Sequence, residues 1–271
     1  KRMGSGIRGL KRDTELMILV GFLMFVLITI AGRQGALTIL TVIFNVAVFA
    51  IGFWKAGDTS IVLEMCSRLV ILFAVITLVG LNGIHKKTWA ALFTTLIVLV
   101  MIMGIFDVVI HHAEDLDYST MEYLGSIENP DEIFHAEILI SGLGAIMDVA
   151  VAIAASLSEI VEKKPEVTFL ELFKSGREIG YDIMGTMINV LLFVFGCGLI
   201  PMCLIRMNND VSLITIIKLH IPCELCRFLV ESIGIVLAIP ISILVTSVMI
   251  KVPGMFHRQK KARKVQGEGK C

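Results

Sequence analysis

Asp148 is the one charged residue inside seven long apolar stretches of this 271-residue chain. An ionised carboxylate near the middle of a membrane helix costs about 2.5–3.5 kcal/mol on insertion scales, so it is expected to face protein or water. Ser141, Ala145, Ala152, Ser156 and Glu159 recur with Asp148 at helical spacing on one stripe, and small residues there admit a neighbouring helix. Gly142 and Gly144 narrow the same helix further. Two roles fit Asp148: a site that takes up a proton or a cation, or a hydrogen-bonded carboxyl that fixes packing. A second polar face carries Asp182, Thr186, Asn189, Phe193 and Gly196. Asn189 is expected at the depth of Asp148, where an amide donating to the carboxylate would offset part of its desolvation. The plainer role for Asn189, and for Asn45, is a packing contact worth about 0.6 kcal/mol. Asp148, Asn189, Thr186 and Glu159 are therefore the candidate proton or ion site.

Other clusters are weaker. His220, Cys223 and Cys226 lie within one heptapeptide, but zinc usually takes four ligands and only three are local, so no metal is expected. A Cys223–Cys226 disulfide and two unconnected small residues at a helix start both stay open. Cys66, Cys197, Cys203 and Cys271 form no framework. His111 and His112 beside Glu114, Asp115 and Asp117 read as a divalent-cation site or as a solvated loop. Glu231 and Pro240 suggest a polar entrance and a kink in the last stretch. No Gly-rich phosphate loop and no His-Glu-x-x-His occurs, so neither an enzyme nor a cofactor is expected.

The elements that position these residues follow from composition. The chain is 56% hydrophobic and 18% charged, with a mean hydropathy of +0.86. That balance excludes a soluble domain and a disordered chain. Its 24 basic and 24 acidic residues cancel, which argues against nucleic acid as a partner. The apolar stretches are Leu16–Gly32, Gln34–Trp54, Leu69–His85, Thr88–Phe106, Ile138–Ser158, Ile183–Ile205 and Ser232–Ile250. Each suits a transmembrane helix, which takes roughly 17–25 residues, better than the short alternating strands of a barrel. The expected fold is all-α: a polytopic integral membrane helix bundle of about seven transmembrane helices.

Charge orders the connections. Between Thr88 and Glu162 there is no Lys or Arg in 75 residues, whereas 12 of the 24 acids lie there. By the positive-inside rule, the acidic segment 107–137 goes outside. The connection 159–182, with Lys163, Lys164, Lys174 and Arg177, goes inside. His85-Lys86-Lys87 and the tail from Lys251 fall inside as well, and 55–67 outside. The exception is the basic N-terminal segment 1–13, which this order places outside; a start at Lys1 rather than Met leaves room for a preceding segment. Residues 14–252 are thus the membrane domain and 253–271 a basic tail. Within 159–182, Thr168 and Glu171 fit a capping box, opening a short amphipathic helix on the inner surface. Expected partners are the lipid bilayer, anionic lipids at the basic tail, and another membrane subunit.

The run from Gly144 through Asp148 to Glu159, together with Ser175 through Gly176 and Gly180 to Asn189, resembles the YibE/F-like family of bacterial multi-pass membrane proteins. Glu231–Ser242 and the Gly32-Arg33-Gln34-Gly35 turn are similar too. The resemblance implies a bacterial cytoplasmic membrane and a role in export. Met147, Val149, Ala152, Ala154 and Ala155 stand where the family is expected to carry Thr or Ser, and Val190 where it tends to carry Thr. A hydrophilic path along these helices would be less polar here. The same stretch is more distantly similar to SecD/SecF, which implies intramembrane acids coupled to a proton gradient, but without the arginine-bearing part of that motif or a large outer domain. The resulting expectation is a proton-coupled transporter or exporter component. The alternative is a non-transporting scaffold or accessory subunit of a larger membrane complex.

Overall fold

Without water to bond exposed peptide groups, a chain crossing lipid must satisfy its backbone internally, and helices do so within each segment. The computed structural model describes residues 3–55, 62–112, 130–219 and 221–268, and no strand occurs among them. The helices are α1 Met3–Ala31, α2 Arg33–Lys55, α3 Val62–Asn82, α4 Lys86–His112, α5 Pro130–Lys163, α6 Phe169–Asn208, α7 Leu213–Leu219 and α8 Ile221–Glu268. Among the described residues, seven are long and apolar enough to cross a membrane; α7 is a single short helix between α6 and α8. We call the end of the bundle holding the α3–α4 turn the base, and the opposite end the top.

The helices reach beyond the predicted stretches. Residues 107–112 and 130–137, expected in the outer loop, extend α4 and α5. The third helix stops at Asn82 rather than His85, because Gly83 adopts φ +70°, a left-handed conformation that glycine takes without Cβ strain. The predicted surface helix within 159–182 is not a separate element. It is the first part of α6, and both halves of its capping box form: Glu171 N donates to Thr168 Oγ1 (3.3 Å), and Thr168 N to Glu171 Oε2 (2.9 Å). The N-terminal segment from Met3 and the tail to Glu268 continue α1 and α8 as helix.

α4, α5 and α8 pack on one another at the centre, with α3 against α5 and α6 against α8 and α5; α2 leans on α3, and α1 on α2. Ile102 and Phe106 of α4, Ile146 and Ile153 of α5, and Ile235 of α8 are fully buried. α6 joins this core near the base through two glycines. A Cβ on Gly176 would lie 2.8 Å from Ile243 Cγ1, and one on Gly180 would strike Ile239 Cγ2. Small residues of this kind let backbones approach where dispersion, not hydrophobicity, drives helix association. Higher up, α6 is largely exposed: its only buried residues are Leu172, Gly176 and Gly180.

Candidate functional site

The buried acid of this bundle is Glu231. It is 6% exposed and sits ten residues into α8, where the predicted stretch began one residue later, at Ser232. Its Oε1 is hydrogen-bonded to Ser141 Oγ on α5. The same Oγ lies 2.7 Å from the Glu137 carbonyl oxygen one turn earlier. A hydroxyl has one proton and two lone pairs. When Ser141 gives its proton to the Glu137 carbonyl, the bond to Glu231 needs a proton on the carboxyl; when Ser141 donates to Glu231, the carboxyl can be ionised. The contact thus accommodates both protonation states of Glu231.

Further charges gather above it. Arg227, one turn earlier on α8, lies 2.6 Å from Glu224 and 3.6 Å from Glu137. His135 Nε2 is 2.7 Å from Asp107 Oδ1, which ties α5 to α4, and its ring meets Phe106 edge-on with centroids 4.7 Å apart. Glu137, Ser141, Glu224, Arg227 and Glu231 therefore form a polar cluster at the top of α5 and α8. Only Ser141 and Glu231 carried any weight in the sequence. The signal that could have found the cluster is the shared helical spacing of Glu224, Arg227 and Glu231.

Both predicted polar stripes exist; the one on α6 faces outward, and the one on α5 runs along the edge of the bundle, from Ser141 against Glu231 to exposed Asp148 and Glu159. Asp148 lies two turns below Ser141 on the same α5 face; it is exposed, and its carboxyl makes no hydrogen bond or ion pair among the described residues. Ala145, Ala152 and Ser156 are half-buried, while Glu159 is exposed and bound to Lys163 (2.6 Å). On α6, Thr186 Oγ1 donates to the Ile183 carbonyl (2.8 Å) and Asn189 Nδ2 to the Gly185 carbonyl (2.7 Å). No hydrogen bond joins Asn189 to Asp148. The reason is rotational: α6 turns Met184, Met187, Ile188 and Leu191 onto the core, which leaves Asp182, Thr186, Asn189 and Phe193 exposed. Asn189 also lies about one turn from the level of Asp148. Counting upward from the Leu157–Gly176 contact brings Asp148 level with Gly185 and Thr186. Asn45 is a packing contact, donating to Thr77 Oγ1 of α3 (2.9 Å).

Residues 221–226 begin α8 rather than lying in a loop. Cys223 is buried and Cys226 is half-buried against the core; the disulfide left open by the sequence is not formed. His220 lies outside the described residues, as do Glu114, Asp115 and Asp117. Among the described residues no three His, Cys, Asp or Glu side chains are grouped to hold a metal. The basal half of the core also holds hydroxyls that no sequence pattern marked. Thr94 on α4 and Thr246 and Ser247 on α8 are buried without a hydrogen-bond partner among the described residues, while Ser242 Oγ reaches the Ala150 carbonyl (3.3 Å).

The family model of YibE/F-like proteins matches residues 19–252, from the middle of α1 into α8. The chain belongs to the YibE/F-like family. Every residue of the polar cluster and of both polar stripes falls within the matched region. No curated protein and no solved structure matches this family member, and the SecD/SecF likeness is not shown.

Proposed function

We propose that this multi-pass YibE/F-like protein is a transport or export component of the bacterial cytoplasmic membrane, and that it moves protons through intramembrane carboxyls. The observation that supports this most is the Glu231–Ser141 contact, a buried carboxyl on a hydroxyl that accommodates it with or without a proton. Asp148, two turns further along the same α5 face, is the second carboxyl of the path. Thr94, Thr246 and Ser247 supply unengaged hydroxyls in the basal half. The reading assigns no enzymatic reaction to the chain. The test is proton flux in vesicles reconstituted with the purified full chain under an imposed pH gradient. Glu231→Gln keeps the shape and removes the titration, and is expected to lower flux at least tenfold; Asp148→Asn is expected to lower it as well. Unchanged flux in both variants would exclude proton movement through these acids.

A second reading, an accessory subunit of a larger membrane complex, has its own support. Asp148 and Asn189 lie at bilayer depth on outward faces, where lipid leaves a carboxyl unsolvated. A partner helix over that face would supply the missing contacts. This reading expects co-purification of another membrane protein that is lost on Asp148→Leu, and no flux by the isolated chain.

A further inference from the structure

At the base, a cavity of about 570 Å³ opens between the α3–α4 turn, the end of α5 and Ile250 of α8, a size usual for small-ligand sites. His85, Lys86 and Lys87 line one wall; Ser158 and Glu162 line the other. Neither lysine has an ion-pair partner among the described residues, although Lys87 is half-buried, and Glu162 across the cavity pairs with neither. Lys86 and Lys87 open α4; the amides of Thr88 and Trp89 donate to the His85 carbonyl (3.0 and 3.2 Å), so only those of Lys86 and Lys87 have no backbone acceptor among the described residues. Lys87 also lines a second, separate pocket of about 10 Å³, together with Asn82 and Thr88.

Thr88 lines only that second pocket. It is 3% exposed, and its hydroxyl has no hydrogen-bond partner among the described residues. Thr95, one helical stretch above, instead donates to the carbonyl four residues back (2.8 Å). Leaving a hydroxyl buried and unsatisfied is costly, and a pocket of that size has room for about one water to satisfy it. In the large cavity, two lysines, a histidine and the Ser158 hydroxyl are the donors. Such a set matches a tetrahedral oxyanion better than a neutral or cationic ligand. Glu162 carries the one opposing charge, set against two lysines. Trp89 follows directly and is 40% exposed, the kind of residue that marks the lipid–water interface.

We propose that this basal cavity is a phosphate-binding site, in which Lys86, Lys87, His85 and Ser158 hold the phosphate of an anionic lipid headgroup or of a soluble phosphate. It is separate from the Glu231 cluster at the top and does not depend on proton movement. The test measures binding of phosphatidylglycerol, phosphatidylcholine and radiolabelled orthophosphate to the full chain in detergent. Phosphatidylglycerol or orthophosphate is expected to bind about tenfold more tightly than phosphatidylcholine, whose choline cation opposes the lysines. Lys87→Gln is expected to weaken that binding about tenfold, and Ser158→Ala, which keeps the charges, about threefold. Lys164→Gln, an exposed base at the same end, should leave it unchanged. Orthophosphate that displaces the lipid identifies the soluble source; lipid retained against excess orthophosphate identifies the headgroup. Binding of neither probe, or equal losses in Lys87→Gln and Lys164→Gln, would overturn the site.

Discussion

Ser141 has one proton and three acceptors within reach, the Glu137 and Ile138 carbonyls and Glu231, and that imbalance makes Glu231 the residue to alter first. Glu231→Ala removes the carboxyl with its bond to Ser141 and leaves a gap where its stem was buried, at a cost of about 1–3 kcal/mol. Thermal unfolding of the detergent-solubilised chain should register it. Asp148→Leu, in contrast, removes a carboxyl that makes no hydrogen bond or ion pair among the described residues. Its effect on the stability of the isolated chain is expected to stay within about 0.5 kcal/mol, as for other exposed positions. If the two variants were equally destabilising, the assignment of Glu231 as inward and Asp148 as outward would be wrong.

Among the elements, α6 is attached chiefly at its basal end, through Gly176 and Gly180. Gly180→Val would force Ile239 away and lift α6 from α8, costing about 1–3 kcal/mol by overpacking. At Gly185, just over one turn on, an added Cβ would meet nothing within 4 Å. Gly185→Ala should therefore leave stability unchanged or raise it slightly, because alanine favours helix by up to about 1 kcal/mol. Unfolding of the two variants side by side checks the claim. At the start of the same helix, Thr168→Ala removes one half of the capping box and is expected to cost about 1 kcal/mol, visible as faster amide exchange in the first turn of α6. That capping box was legible from Thr168 and Glu171 alone, because capping depends on residues three apart. The continuation of its helix into α6 was not, because the charged residues of 169–182 read as surface while Leu172, Gly176 and Gly180 are held by α5 and α8.

For the whole molecule, the charge pattern predicts which end of the bundle faces out. A cysteine placed at 122 in a cysteine-free background should react with a membrane-impermeant maleimide in intact cells, and one at 164 should not react until the cells are opened. The reverse pattern would invert the orientation of every helix. The number of spans was legible because crossing lipid is a local requirement: each segment must be apolar over its own length and bond its own backbone. Rotation about each helix axis was not. In water, the apolar stripe of a helix marks its buried side; in a bilayer, lipid-facing and core-facing side chains are equally apolar and that contrast disappears. Ile146 and Val190 look alike in the sequence, yet one is buried and the other exposed. The sequence by itself therefore determined the family, the seven crossings and the segregation of charge. Only the packing of α8 and α6 against α5 decided that Glu231 lies inside the bundle and that Asp148 and Asn189 lie outside it.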